Sequence, residues 1–392
     1  MDKRFIIALV FIGIVFLFYD DYLRWLNPPP PESEMDTTAV DTSYYSKTRA
    51  PGITGKEHYL NSAGEQSIDT GELPEKAVVP VIDRQLHERF VTIETSKYRA
   101  RLSTHGATLV SYKLMPNSGY LRKEEELLPQ NISARPGFRF WTIDGPVETM
   151  KLSFRLDDGN DQDGDIKYYI AENQTRDVTF TATLGDGRTL SLVYTFRGGT
   201  YTFDCGIRGE GIENLWARDY VEAYWNGGLA FTEPDTGQDE YYSRAYVYFA
   251  GDELEEQKIK AKKDAVIGPL SGETRWGAVR TKYFMAALIP ETANAVGSWL
   301  ESVHDSTYMG RHTPNKLGVG LRLPIKDGIP ATRLKLFLGP IDYDVLGKVD
   351  PSLRRTMNWG WTVIAPFSKA ILWSLKKLGH LIPNYGICII IF

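Results

Sequence analysis

Five aspartates, Asp157, Asp158, Asp161, Asp163 and Asp165, fall in one stretch, DDGNDQDGD. Carboxylates packed this densely around glycine are what a calcium loop needs, because a hard cation gathers several oxygen ligands. The ligand spacing of such a loop is not met. With Gly164 at the invariant glycine position, the first and last ligand positions fall on Gly159 and Ile170, and neither offers a side-chain oxygen. An exposed acidic turn is the expectation. The histidines, His58, His87, His105, His304, His312 and His380, show no HxH or HExxH spacing, so no metal site is expected. No GxSxG elbow, phosphate-binding loop or GxGxxG is present. Glu301 and His304 are close in sequence, but on a strand their spacing points them to opposite faces, so they do not form an acid–base pair. No catalytic residue, metal or cofactor is therefore expected, and the chain does not read as an enzyme.

The two cysteines are Cys205, on an alternating run, and Cys388, inside an apolar run. The first reads as a small core hydrophobe, and the pair is not expected to form a disulfide. Asn131-Ile-Ser133 and Asn173-Gln-Thr175 match a glycosylation sequon that arises often by chance. Aromatics are abundant: 22 Tyr, 17 Phe and 9 Trp. One group is Trp216, Tyr220, Tyr224 and Trp225, and a second is Tyr241, Tyr242, Tyr246 and Tyr248. An aromatic-lined cleft for a sugar or peptide is one reading; a sandwich core with ordinary surface tyrosines is the favoured one.

Positioning elements follow from the pattern of the rest. The chain has 392 residues, 42% apolar and 24% charged, which excludes a wholly disordered or coiled-coil protein and suits two to three domains. A net charge of −5 argues against nucleic acid as a partner. A mean hydropathy of −0.29 excludes a polytopic membrane protein for the chain as written, but not single membrane segments. Between about Gln85 and Pro340 the signal is alternation with period two. Val178, Phe180, Ala182 and Leu184 form one apolar set, Leu190, Leu192, Tyr194 and Phe196 another, and Tyr201, Phe203, Cys205 and Ile207 a third. Leu317, Val319, Leu321 and Leu323 follow, then Leu334, Leu336 and Leu338. Gly185-Asp186-Gly187 and Gly198-Gly199 read as hairpin turns. Only Leu254 to Asp264, LEEQKIKAKKD, looks helical. The fold class is mainly β, a large β-sandwich over 85–340.

Both ends carry membrane-active segments. Phe5 to Tyr19 has no charge, and Phe5, Ile6, Ile7, Leu9, Val10 and Phe11 are its anchoring residues. As a helix this run is about 22 Å long, short of a hydrocarbon core of roughly 30 Å, with Trp25 and its neighbours placed to extend it at the interface. Lys3 and Arg4 precede it and Asp20 and Asp21 follow, which puts the N-terminus in the cytoplasm and the main domain outside. Residues 1–26 are read as an uncleaved transmembrane anchor and 27–84, opening on Pro28–Pro31, as a disordered tether. Residues 341–383 are a connecting segment and an amphipathic helix. On a helical wheel Phe367, Ala370, Ile371, Leu375, Leu378, Leu381 and Ile382 share one face, while Lys369, Lys376, Lys377 and His380 share the other with Trp373 at its edge. This reads as a helix lying at the lipid interface, a lipid bilayer being the partner. After Asn384-Tyr385-Gly386 the run Ile387–Phe392 begins an apolar stretch, read as the start of a second transmembrane helix over 384–392.

The order of these parts resembles the N-terminal part of the YidC membrane protein insertases of Gram-negative bacteria. The residues that carry the resemblance are the segment Lys282–Pro290 (KYFMAALIP), Leu338-Gly339-Pro340, Asn358-Trp359-Gly360-Trp361, Pro366-Phe367-Ser368-Lys369 and Asn384-Tyr385-Gly386-Ile387. The resemblance implies a mutarotase-like β-supersandwich in the periplasm, held at the inner membrane and serving as a docking module. It implies insertion and folding of nascent inner-membrane proteins, alone or with the Sec translocon and its accessory subunits, without nucleotide or metal. The five-helix insertion core of the family lies beyond the segments recognised here. The competing expectation is a membrane-anchored periplasmic carbohydrate-binding or sugar-converting β-sandwich; a tethered interaction domain is a third.

Overall fold

The computed structural model describes residues 87–116, 123–129, 136–143, 145–157, 164–184, 187–258, 265–303, 316–330, 333–357, 359, 365–382 and 387–389. The expected anchor and tether, most of the acidic stretch, and the sequon asparagine Asn131 lie outside the described residues.

Strands account for most of the fold. The first eight are β1 (Phe90–Glu94), β2 (Tyr98–Ser103), β3 (Thr108–Leu114), β4 (Glu125–Glu126), β5 (Pro136–Thr142), β6 (Gly145–Glu148), β7 (Arg155–Leu156) and β8 (Ile166–Tyr169). The next six are β9 (Thr175–Thr183), β10 (Thr189–Arg197), β11 (Thr202–Glu210), β12 (Tyr220–Trp225), β13 (Arg244–Phe249) and β14 (Leu254–Lys258). The last six are β15 (Ala265–Arg280), β16 (Phe284–Pro290), β17 (Ala295–Ser302), β18 (Leu317–Lys326), β19 (Ile329–Pro330) and β20 (Leu334–Pro340). Among the described residues the helices include α1 (Thr236–Tyr242), α2 (Tyr343–Val349) and α3 (Ala365–Leu381), and a 3₁₀ segment, Pro351–Thr356, follows α2.

A five-stranded sheet runs in the order β4-β3-β2-β1-β8, and a fifteen-stranded sheet has the main path β6-β5-β12-β18-β17-β15-β16-β20-β11-β10-β9-β7. Pairing is antiparallel except between β1 and β8. The expected alternation appears in the burial: Leu190, Leu192, Tyr194 and Phe196 of β10 are all buried, as are Leu317, Val319, Leu321 and Leu323 of β18. Both expected hairpins are present, β9 pairing with β10 and β10 with β11. In the second turn Gly199 sits at φ +74°, the left-handed region that favours glycine, and a Cβ on Gly198 would fall 1.9 Å from the Ala171 carbonyl oxygen. Sixteen-residue β15 has register shifts that let its first part pair with β17 and its end pair with β13 and β16, which bends the large sheet.

The two sheets pack through aromatics. Tyr98 and Tyr112 of the small sheet stack with centroids 4.7 Å apart, and Tyr112 lies 6.3 Å from Phe203 of the large one. Phe203 in turn stacks on Phe196 at 5.1 Å. The Tyr194 hydroxyl donates to the Ala107 carbonyl at 2.7 Å, joining β10 to the β2–β3 turn.

One element differs from expectation. Leu254–Lys258 is strand β14, hydrogen-bonded to β13, and not helical; Lys258 and Arg244 are opposite one another in that ladder. Gln257 is buried there. Pairing with an existing edge outweighs the weak local helix preference of a short charged run. The two aromatic groups divide: Tyr224, Trp225, Tyr246 and Tyr248 are buried, Trp216 and Tyr220 are half-buried, and Tyr241 and Tyr242 are exposed. Both Trp216 and Trp225 donate their indole N–H to backbone carbonyls, of Gly328 and Gly228. Cys205 and Cys388 are unpaired, and burial pushes the Cys205 thiol up to about 12.

Two of the tyrosines at the sheet interface, Tyr194 and Tyr112, should behave differently on loss of their hydroxyls. Tyr194→Phe removes a buried hydrogen bond and leaves the Ala107 carbonyl without it, so it should cost about 1 kcal/mol. The Tyr112 hydroxyl is buried with no partner among the described residues, so Tyr112→Phe should unfold at or above the wild-type urea midpoint. Urea unfolding of both variants tests the packing; equal destabilisation would contradict it.

Candidate membrane-interface site

The C-terminal shelf is built from caps. Asp342 precedes α2, and its carboxylate accepts from the backbone N–H of Asp344 at 2.9 Å and of Val345 at 3.0 Å. Asp350 repeats the device for the 3₁₀ segment, accepting from Ser352 N–H at 2.8 Å, with Pro351 in the first turn where its missing N–H costs nothing. Leu346 and Leu353 are fully buried and pin the shelf to the core. Trp276 of β15 donates to the Ser352 hydroxyl at 2.7 Å, and Arg280 at the end of β15 donates to the Thr356 carbonyl at 2.7 Å. Arg280 is buried and spends its guanidinium on backbone carbonyls; burial lowers its pKa.

Helix α3 is attached to this shelf by its middle. The Lys376 ammonium pairs with Asp344 and lies 3.9 Å from Asp342. The hydrogen bond from Lys376 holds the Asp344 carboxyl below the usual carboxylate range. Lys376 also lies 5.9 Å from the Tyr343 ring, whose other contacts are the Arg354 guanidinium at 3.8 Å and an edge-to-face meeting with Trp359 at 5.6 Å. Lys369 lies 5.7 Å from the Trp359 ring.

The expected interface residues divide into two groups. Phe367, Ile371 and Trp373 are exposed, at 69%, 43% and 61%. Lys369 and Lys377 are exposed with them, the Lys377 ammonium 4.6 Å from the Trp373 ring. Leu375, Lys376 and Leu378 are half-buried. The solvent-facing arc of α3 therefore runs from Lys369 through Trp373, Lys377 and Ala370 to Phe367 and Ile371: three large apolar side chains with two ammonium groups beside them. Lys376 is the exception among the three lysines, because its charge is matched within the protein. Sequence reading missed the acidic pair Asp342 and Asp344 that holds it; two aspartates flanking Tyr343 at a helix start were the available signal. The anchor residues Phe5, Ile6, Ile7, Leu9, Val10 and Phe11 lie outside the described residues. Among the described residues no helix is long and apolar enough to cross a membrane.

Elsewhere the fold brings further charged groups together. Arg139 donates to Glu148 at 3.0 Å and to Glu222 at 3.4 Å, and Arg322 donates to Glu222 at 3.2 Å, so buried Glu222 is matched from two strands. Asp165, from the acidic stretch, pairs with Arg101. Glu301 is buried on β17, while His304 lies outside the described residues.

A family model described as the YidC periplasmic domain matches residues 90–374. The chain belongs to this family of membrane-insertase periplasmic domains. It is 25% identical to the membrane protein insertase YidC of Chlorobaculum parvum over the whole of this chain and 63% of that protein. It is likewise 25% identical to that of Chlorobium limicola, again over 63% of the relative, and 26% identical to that of Syntrophus aciditrophicus over 68%. The chain thus spans less than two thirds of the length of the first two relatives. Among solved structures, a galactose mutarotase related enzyme from Lactobacillus acidophilus superposes with a TM-score of 0.40 at 10% identity, over 64% of this chain and 97% of that one.

The Lys376 pairing makes α3 docking acid-sensitive. Asp344 has a depressed pKa when docked, so its contribution is complete above the ordinary carboxylate pKa and is lost as pH falls through the lowered value. Hydrogen-exchange protection of residues 365–381, corrected for intrinsic rates, should fall below about pH 4 while β20 keeps its protection. Lys376→Ala should give the same loss at neutral pH. Unchanged protection in that variant would show that the ion pair does not hold the helix.

Proposed function

We propose that this chain is the membrane-anchored periplasmic part of a YidC-type insertase, which aids insertion and folding of inner-membrane proteins. The observation that carries the reading is the family match over residues 90–374 together with whole-chain similarity to YidC relatives. In this reading the β-sandwich is a rigid docking body and does no chemistry of its own. Nascent inner-membrane proteins are the substrates, and the Sec translocon with its accessory subunits is the partner during co-translocational insertion. The N-terminus is cytoplasmic, residues 1–26 are the anchor, 27–84 the tether and the β-domain projects into the periplasm. The carbohydrate reading loses support, because four of the eight aromatics that suggested a sugar cleft, Tyr224, Trp225, Tyr246 and Tyr248, are buried in the core.

The α3 surface has a defined task in this reading. Its exposed apolar residues enter the lipid interface while Lys369 and Lys377 meet head groups. Burial of one large apolar side chain contributes about 1.5–3 kcal/mol. That is enough to fix a helix already held to the domain through Lys376.

Two measurements test the proposal. Depletion of the full-length protein in its native host should stall insertion of small inner-membrane proteins; normal insertion after depletion would remove the insertase reading. For the helix, the full chain is reconstituted in vesicles containing brominated lipid. Trp373→Phe should remove a large part of the lipid-quenched fluorescence, whereas Trp276→Phe, a core position, should not. Quenching that is unchanged in Trp373→Phe would place α3 away from lipid.

A further inference from the structure

We propose that the cavity beside the β10–β11 turn is a binding site for a phosphate-type oxyanion, either free or carried on a lipid head group. The cavity has a volume of about 600 Å³, the size of a small-molecule site. Four cationic side chains line it: Lys97 from the β1–β2 turn, Arg197 from the end of β10, Lys335 from β20 and Lys348 from α2. The one carboxylate in its wall is Glu291.

These cations divide by partner. Arg197 makes a two-pronged pair with buried Asp204, and Lys335 pairs with Glu291 at 2.8 Å. Those two pairs are part of the wall. Lys97 and Lys348 have no carboxylate within salt-bridge distance among the described residues. The Lys97 ammonium lies 6.0 Å from the centre of the Tyr201 ring. Among the described residues the cavity therefore holds two ammonium groups outside any salt bridge, Lys348 feeling only the longer-range attraction of Asp344 one turn earlier, in a chain whose net charge is −5. A concave wall with low-dielectric sides strengthens such a local field. Two ammonium groups and a paired guanidinium, delivered from separate elements, suit an anion whose oxygens point in several directions. Phosphate has that geometry, and lysine binds it as a point charge without needing a planar fork.

The cavity is larger than a bare phosphate, which leaves room for a substituent. Val345, Lys348 and Val349 of α2 line it, while Asp342 and Asp344 at the start of the same helix hold Lys376 of α3. The anion site and the candidate interface helix thus share one short element. The lipid source of the anion rests on the proposed membrane role of α3; the anion chemistry does not.

The test uses the full chain in uncharged detergent and isothermal titration. One titrant is inorganic phosphate. The others are short-chain phosphatidylglycerol and, as its neutral counterpart, phosphatidylcholine of the same chain length. Saturable binding of one equivalent of phosphate or of phosphatidylglycerol is expected, with phosphatidylcholine inert. Lys97→Ala and Lys348→Ala should each weaken it about tenfold, as expected for losing a charge partner. Neither side chain is fully buried, so both variants should keep the wild-type thermal unfolding curve. Lys151→Ala, at an exposed lysine outside the cavity, should bind as wild type. Phosphate binding without phosphatidylglycerol binding assigns a free anion, and the reverse assigns a head group. No saturable binding of either, or wild-type affinity in the Lys97→Ala/Lys348→Ala double variant, would overturn the site. Neither result bears on the depletion experiment, so the two proposals fail separately.

Discussion

The aromatic contact between the two sheets is the constraint from which the rest of the domain takes its geometry. A sheet with one apolar face is stable only when that face is covered. Here the small sheet offers Tyr98 and Tyr112, and the large sheet offers Phe203, Phe196 and Tyr194. Aromatic rings supply large buried area in preferred offset and edge geometries, so the contact sets the relative register of the sheets as well as their separation. Burial raises the pKa of Tyr98, Tyr112 and Tyr194, which keeps the phenols neutral in the core. Residues that flank the stack inherit its precision. Lys97 is next to Tyr98, and Arg197 follows Phe196, so two walls of the basic cavity are set by the ring contacts beside them.

From the same core a second chain of contacts leads outward. Trp276 and Arg280 of β15 reach the 3₁₀ segment, Leu346 and Leu353 fill the space beneath it, and Arg354 returns to the Tyr343 carbonyl. Lys376 then joins α3 to the acidic start of α2. The strength of the links falls along this path. The first are buried hydrogen bonds whose loss leaves an unmatched polar group. The last is an ion pair with one partner exposed, of a kind that contributes little in water and responds to salt and acid. A rigid body carrying a helix on a weak tether is suited to a part that must settle against another surface.

The strands were legible because period-two burial leaves a direct imprint on composition. All four inward residues of β10 and of β18 could be named from the alternation, and β9, β10 and β11 pair in the hairpin order that the glycines between them indicated. β14 was not legible. Its sequence is charged and short, and its conformation comes from pairing with β13 across a tight turn rather than from any apolar alternation of its own. The interface helix was legible as an amphipathic pattern, but the pattern alone assigns faces only by hydropathy. The packed side includes Ser368, Leu372 and Lys376 as well as Leu375, because the shelf offers Asp342 and Asp344 and not only apolar surface. The basic cavity could not be read from sequence at all. Its lysines are separated by most of the domain, and only the folded arrangement brings positions 97, 335 and 348 to one wall.

That arrangement also bears on the three lysines of α3. In the proposed topology they lie on the periplasmic side, where cationic residues near membrane segments are under-represented. The bias acts on charges that are free near the bilayer. Lys376 is not free, since two aspartates of the domain match it. Lys377 rests over Trp373 and Lys369 near Trp359, within reach of cation–π attraction. Ammonium groups placed beside aromatic rings at a lipid interface can keep their stems in the apolar layer and their heads among phosphates. The lysines therefore do not argue for a reversed orientation. One of them holds the helix to the domain, and the other two sit at the edges of its exposed apolar arc, which is where a helix lying flat on a membrane needs its charge.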